Sequence, residues 1–179
     1  YNVVGVITSP DKASGRGQHI HESAIKKYAQ DKDLKTLQPS NLKDPGFQAE
    51  LAALNADLQV VVAFRMLPES VWSMPEKGTI NLHASLLPDY RGAAPINWAV
   101  INGDSETGLS TFFIEKEIDT GRVILQEKVQ IPIDWSAGQL HDDMMVKGGA
   151  LLVRTLEAID AGSFEPVDHQ AWRIQLQGH

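Results

Sequence analysis

The chain has 179 residues, 42 % apolar and 22 % charged, with no cysteine and a net charge of −7. That length and balance suit one soluble globular domain, and the lack of cysteine excludes a disulfide framework and a thiolate metal site. An acidic chain is no general nucleic-acid binder, but the charge is uneven. Residues 1–43 hold seven Lys/Arg against four Asp/Glu (+3), and the remainder nine against nineteen (−10). A narrow basic contact with one polyanion therefore stands beside a plain charge gradient over solvated faces. The longest apolar run, Val60-Val61-Val62-Ala63-Phe64, is too short to span a bilayer. No charged-then-apolar leader opens the chain, so a cytoplasmic protein is expected.

Residues 2–8, Asn-Val-Val-Gly-Val-Ile-Thr, are short, β-branched and nearly continuous, which predicts a buried parallel strand. Ser9-Pro10-Asp11 breaks it, and Lys12-Ala13-Ser14-Gly15-Arg16-Gly17 predicts a flexible cationic loop. The Gly-x-Gly invites a dinucleotide reading, but Ile20 stands where the third glycine belongs, and no Gly-Lys-Ser/Thr follows. Residues 22–32 read as a helix, with Ile25, Tyr28 and Ala29 on one face. A short strand at 36–38 and a helix at 47–54 come next. Residues 57–64 form the strongest strand pattern of the chain, expected at the centre of its sheet. Pro68 starts a brief helix through Trp72.

Residues 79–83, Thr-Ile-Asn-Leu-His, alternate apolar with polar and predict a strand with Asn81 and His83 on one face. Strand ends of α/β sheets are where ligands bind. An amide beside an imidazole can hydrogen-bond a developing oxyanion and handle a proton, or merely tie down the next loop. Pro95 opens a helix that Gly103 ends. Strands at 109–114 and 123–131, joined by residues 115–122, are expected to pair antiparallel. Ser136 and Gln139 form a capping box, opening a helix to about residue 161 with Leu140, Met144, Leu151 and Leu156 inward. Gly148-Gly149 weakens its middle by roughly 1 kcal/mol per glycine. Beyond Pro166 the chain is polar. Strands alternating with helices predict a parallel sheet with helices on both faces. That pattern contradicts the all-β fold that Asp119-Thr120-Gly121, read as an aspartic-protease triplet, would require.

Residues 81–99, NLHASLLPDYRGAAPINWA, with the turn Glu117-Ile118-Asp119-Thr120-Gly121, resemble the formyltransferases that use 10-formyltetrahydrofolate, and among them those acting on methionyl-tRNA. The similarity runs from about residue 2 to 166. It implies an open, mostly parallel Rossmann-like sheet with an antiparallel pair at one side. It also implies a catalytic domain over 1–166 and a tail or linker start over 167–179. Asn81, His83 and Asp119 are the implied catalytic trio. Asn81 and a cationic His83 would hold the oxyanion of a tetrahedral intermediate, with Asp119 supporting that charge or taking the amine's proton. The folate would lie against Phe64, Arg65, Met66 and Leu67, the loop Ser85, Leu86, Leu87 and Pro88, and the segment with Ile114, Glu117 and Ile118. Met66, Leu67, Leu87 and Ile118 would be its apolar walls, although each reads equally as plain core.

A glycine-flanked arginine loop in these enzymes contacts the tRNA acceptor end, which makes Arg16, helped by Lys12, the expected contact with methionyl initiator tRNA. Tetrahydrofolate is the implied second product, no metal is implied, and a monomer is expected. Arg91 meets either an anion or a structural ion pair. The chain opens at what resembles the family's second strand, and the C-terminal barrel of the methionyl-tRNA enzymes is not represented. A fragment with unpaired strand edges, even an inactive one, is thus one expectation. Relatives acting on a sugar amine or on glycinamide ribonucleotide share the Asn–His–Asp trio and are the other alternative.

Overall fold

The computed structural model describes residues 1–14, 19–117 and 119–165. In chain order its elements begin with β1 (Val6–Ile7), β2 (Lys12–Ser14), β3 (His19–His21), α1 (Ala24–Asp31), β4 (Thr36–Leu37) and α2 (Pro45–Ala52). They continue with β5 (Gln59–Val62), α3 (Glu69–Trp72), β6 (Thr79–His83), α4 (Pro95–Ile101), β7 (Glu106–Phe113), β8 (Val123–Gln130) and α5 (Ala137–Ala161). They fall into two compact units, one of Tyr1–Leu58 with Met66–Lys77 and one of Gln59–Arg65 with the chain from Gly78 onward.

In the first unit, β1 and β4 pair in parallel, Val6 opposite Thr36 and Ile7 opposite Leu37. The strand is shorter than the β-branched run predicts, and Val3 is exposed. Gly5 matters for packing, since a Cβ there would sit 2.6 Å from a Leu54 methyl. The segment expected as a loop at 12–17 begins in a strand instead: β2 and β3 pair antiparallel, Lys12 opposite His21 and Ser14 opposite His19. Ser23 caps α1 by accepting from Lys26 N. Of the face expected inward, Ala29 is buried while Ile25 and Tyr28 are exposed. Asp44 caps α2 by accepting from Phe47 N at 2.8 Å, with Pro45 pre-set for the first turn.

The second unit is a four-stranded sheet in the order β5-β6-β7-β8. β5 and β6 are parallel, and β6–β7 and β7–β8 antiparallel. The chain is thus α/β with parallel pairings and the expected antiparallel β7–β8 pair. The β6–β7 direction was open, because residues 84–105 are long enough to connect either way. β5 is the end strand of this sheet rather than its centre, with Val60 and Val62 44 % and 51 % exposed. A β-branched run specifies a strand but not its rank in a sheet.

The two faces of this sheet are used differently. Leu82, Leu109 and Leu125 face α4 and α5, packing with Ala99, Leu140, Met144 and Leu151. Buried Thr111 and Thr155 hydroxyls bond across that interface at 2.8 Å. Gly148 lets α5 approach, because a Cβ there would lie 2.9 Å from a Leu82 methyl. The capping box at Ser136 and Gln139 forms as expected. On the opposite face Leu87, Phe112 and Val123 make a second cluster, and the loop after β6 lies there. Asn81 and His83 share that face by alternation.

Candidate active site

β6 presents Asn81 half-buried and His83 buried at its C-terminal end. Loop 84–92 then folds back over the sheet. Its shape is fixed from beneath: Ser110 Oγ donates to the Ser85 carbonyl at 2.6 Å and accepts from Leu87 N at 3.0 Å. Gln126 Nε2 donates to the Leu87 carbonyl and to Ser110 Oγ, at 3.0 and 2.7 Å. Ser85 Oγ donates to the Asp89 carbonyl. Tyr90 and Gly92 then turn through the left-handed region, at φ 53° and 85°, which returns the chain to the strand end.

Two backbone groups of that return hold the chemistry-bearing side chains. His83 Nε2 donates to the Tyr90 carbonyl at 2.8 Å, and Gly92 N donates to Asp119 Oδ2 at 2.8 Å. The same Oδ2 lies 3.9 Å from His83 Nδ1. A carbonyl only accepts, so Nε2 carries a hydrogen and Nδ1 is the nitrogen that faces the carboxylate. Unprotonated, Nδ1 would set one acceptor against another. A proton on Nδ1 turns the pair into an imidazolium beside a carboxylate. The gap of 3.9 Å exceeds a direct hydrogen bond. Among the described residues the half-buried Asn81 side chain makes no hydrogen bond. The arrangement can bind an oxygen that gains negative charge and move a proton next to it.

Asp119 reaches this point by an indirect path. β7 runs antiparallel to β6, so the turn after it starts beside the far end of β6, where Ile114 N donates to the Thr79 carbonyl at 2.7 Å. The turn starts at the Thr79 end of β6, and Asp119 within it lies at the His83 end. Asp119 sits at φ 50°. Thr120 Oγ1 donates to the Glu117 carbonyl, a capping role. Gly121 is obligatory, since a Cβ there would fall 1.6 Å from the Phe113 carbonyl oxygen.

The other expected site residues divide by position. Ser85 and Leu87 are buried and support the loop from inside, Leu87 as core with Phe112 and Val123. Leu86 and Pro88 are half-buried. Phe64 and Arg65 follow β5, the guanidinium 5.4 Å from the Phe64 ring centroid. Met66, 73 % exposed, and half-buried Leu67 belong to the first unit. Ile114 is half-buried and Glu117 exposed. Arg16, Ile118 and the side chain of Lys12 lie outside the described residues. Among the described residues no group of three His, Asp or Glu is placed to hold a metal ion, and no helix is long and apolar enough to cross a membrane. Gly92 carries a sequence signal, a glycine closing a loop; Tyr90 acts through its carbonyl, which no side-chain pattern reports.

Comparison with known proteins places this geometry. The family model described as formyl transferase matches residues 1–156. A methionyl-tRNA formyltransferase of Flavobacterium johnsoniae is 60 % identical over 163 residues, 91 % of this chain and 52 % of that protein. One of Bacteroides thetaiotaomicron is 58 % identical over 167 residues, 93 % of this chain and 52 % of that protein. The chain thus spans about half the length of these curated relatives. Among solved structures, phosphoribosylglycinamide formyltransferase from Bacillus halodurans superposes with a TM-score of 0.71 at 20 % identity, over 86 % of this chain and 78 % of that one. The formyltransferase PseJ from Anoxybacillus kamchatkensis, solved with tetrahydrofolate and a UDP-linked formamido sugar, gives 0.63 at 18 %, over 92 % and 80 %. At such identities these two speak for the fold. With the family model matching most of its length, the chain belongs to the formyl transferase family.

Proposed function

We propose that this chain is the catalytic domain of a methionyl-tRNA formyltransferase, moving a formyl group from 10-formyltetrahydrofolate to the amino group of methionyl initiator tRNA and releasing tetrahydrofolate. The observation that carries this reading is the identity of 58–60 % with relatives bearing that name. The geometry of Asn81, His83 and Asp119 supports it. As the amine attacks the formyl carbon, Asn81 and His83 Nδ1–H donate to the oxygen that becomes anionic, worth about 3–4 kcal/mol per donor in comparable sites. Asp119 balances the imidazolium and accepts the proton lost by the amine, directly or through one water. As the tetrahedral carbon expels the folate nitrogen, the C–N bond breaks and that nitrogen takes up the proton, so that tetrahydrofolate leaves as the neutral amine. The partner-free Asn81 amide, at a strand end shaped by a pinned loop, suits a formyl donor whose oxygen needs donors. Phe64, Arg65, Ile114, Glu117 and Ile118 are proposed to flank the folate. Leu86 and Pro88 line its loop, and Ser85 and Leu87 hold that loop in shape. Arg16, with Lys12, is proposed to meet the tRNA. A cytoplasmic monomer is the state in which we expect it to work.

The test uses the full-length protein with 10-formyltetrahydrofolate and three acceptors: methionyl initiator tRNA, glycinamide ribonucleotide and a UDP-linked amino sugar. Formylation of the tRNA with a kcat/KM at least about a hundredfold above the other two is expected. Preference for either small amine would reject the tRNA assignment and leave the family intact.

A further inference from the structure

We propose that Tyr90 is a positioning residue of the transfer site, holding through its own side chain the backbone carbonyl that fixes the His83 ring. The inference rests on the function proposed above, in which His83 Nδ1–H faces the reacting oxygen. His83 has two ring nitrogens and one orienting hydrogen bond, from Nε2 to the Tyr90 carbonyl at 2.8 Å. Which nitrogen carries the neutral ring's hydrogen, and which faces Asp119, is therefore decided by where that carbonyl points. The carbonyl belongs to a residue at φ 53°, a conformation that a side chain with a Cβ disfavours. A residue kept there must be over-determined by its surroundings.

The surroundings are on the far side of the loop. The Tyr90 ring packs against the cluster of Leu109, Val129, Leu140 and Met144. Its hydroxyl donates to Asp104 Oδ2 at 2.5 Å and accepts from Asn102 Nδ2 at 2.9 Å. Both partners sit just past α4, where Asn102 N and Gly103 N close the helix end on the carbonyls of Trp98 and Val100. The hydrogen bond to Asp104 raises the phenol above its ordinary value, so it remains a donor across the working pH range. One side chain thus connects the end of α4 to the imidazole, and its strained backbone is the lever. Ser85 holds the Asp89 carbonyl and Asp119 holds Gly92 N on either side, and the Tyr90 side chain fixes the residue between them.

The test compares full-length wild type with Tyr90→Phe, which keeps the ring and removes the hydroxyl. Two readouts are taken. Two-bond 15N–1H correlation of the histidines, with His83 assigned by its loss in His83→Gln, reports which nitrogen is protonated. Steady-state kinetics with methionyl-tRNA report kcat and KM. In wild type Nε2 should carry a hydrogen whenever the ring is neutral, the cation adding Nδ1–H to it. In Tyr90→Phe that neutral form should give way to a mixture, with kcat falling about tenfold or more and KM for the formyl donor within about twofold. Asp104→Ala should reproduce both changes, and Asp104→Asn, which keeps an acceptor oxygen, should restore them; this pair decides the matter if Tyr90→Phe does not fold. An unchanged His83 signature in the hydroxyl-free variants, or a changed signature with unchanged kcat, overturns the proposal. If wild type fails to formylate methionyl-tRNA, the proposed acceptor is wrong, while the His83 signature still decides the role of Tyr90.

Discussion

The Asp119 carboxylate joins two jobs in one oxygen. Oδ2 accepts from Gly92 N at 2.8 Å and faces His83 Nδ1 at 3.9 Å. Asp119→Asn separates the jobs. The amide oxygen can keep the Gly92 bond and still face Nδ1, but it no longer brings the negative charge that sits beside an imidazolium. We expect kcat to fall by a hundredfold or more, with thermal stability within about 1 kcal/mol of wild type. Asp119→Ala, losing the Gly92 bond as well, should add a loss of stability of about 1–2 kcal/mol. Rapid-quench formyl transfer and thermal denaturation of the three proteins check this, and an Asp119→Asn enzyme within threefold of wild type would remove the aspartate from the mechanism. Asn81, His83 and Asp119 were all legible as residue types in a known order. Their protonation geometry was not, because it depends on the Tyr90 carbonyl.

At the level of the element, adjacent glycines in α5 have opposite meanings. Sequence propensity treats Gly148 and Gly149 alike, each weakening the helix. In the folded chain Gly149 faces open space, while Gly148 is buried against Leu82. Gly149→Ala should therefore stabilise the protein by about 0.5–1 kcal/mol. Gly148→Val should destabilise it by about 1–3 kcal/mol through overpacking. Urea denaturation gives both values, and equal effects at the two sites would contradict the helix–sheet contact.

The β2–β3 hairpin is tied in the same local fashion. Lys26 Nζ bonds Asp11 Oδ2 at 2.5 Å and Glu22 Oε1 at 2.7 Å, gripping the residues on either side of it, and Gln38 donates to Asp11 Oδ1. The Gln38 hydrogen bond, then that from Lys26, hold the Asp11 carboxyl below its ordinary value of 3.8. A carboxyl depressed in the folded state stabilises above its unfolded value, and that contribution is lost as pH falls through the lower, folded one. Asp11→Asn should flatten the acid-unfolding curve below about pH 4, as followed by circular dichroism. An unaltered curve would mean that the clamp is not felt by folding.

For the molecule as a whole, the proposed tRNA acceptor asks an acidic protein to confine its positive charge. The excess lies in residues 1–43, at +3 against −10 for the rest, and Arg16 stands between the paired strands β2 and β3 in sequence. In the full-length enzyme Arg16→Ala should leave folate binding intact. It should lower kcat/KM for methionyl-tRNA roughly ten- to a hundredfold, the worth of one charge-assisted contact. The defect should shrink as salt rises, since screening already weakens the wild-type contact. Equal tRNA kinetics at low salt would move the acceptor assignment toward a small amine.

The sequence by itself determined the α/β class, the strand carrying Asn81 and His83, the ends of α4 at Pro95 and Gly103, the capping box of α5, and the antiparallel β7–β8 pair. Those features are local: alternation, capping residues and short connections act over a few neighbours along the chain. Tertiary structure decided the rest. The run at 57–64 had the composition of a central strand, yet β5 ends its sheet, because rank depends on which other strands are present to pair. The direction of β7 against β6 set where the turn carrying Asp119 begins, which the 35 residues between His83 and Asp119 in sequence do not encode. Gly148 became a contact only once α5 lay on Leu82. The His83 ring took its orientation from a carbonyl that every residue possesses, and only the folded loop could single out the one at Tyr90.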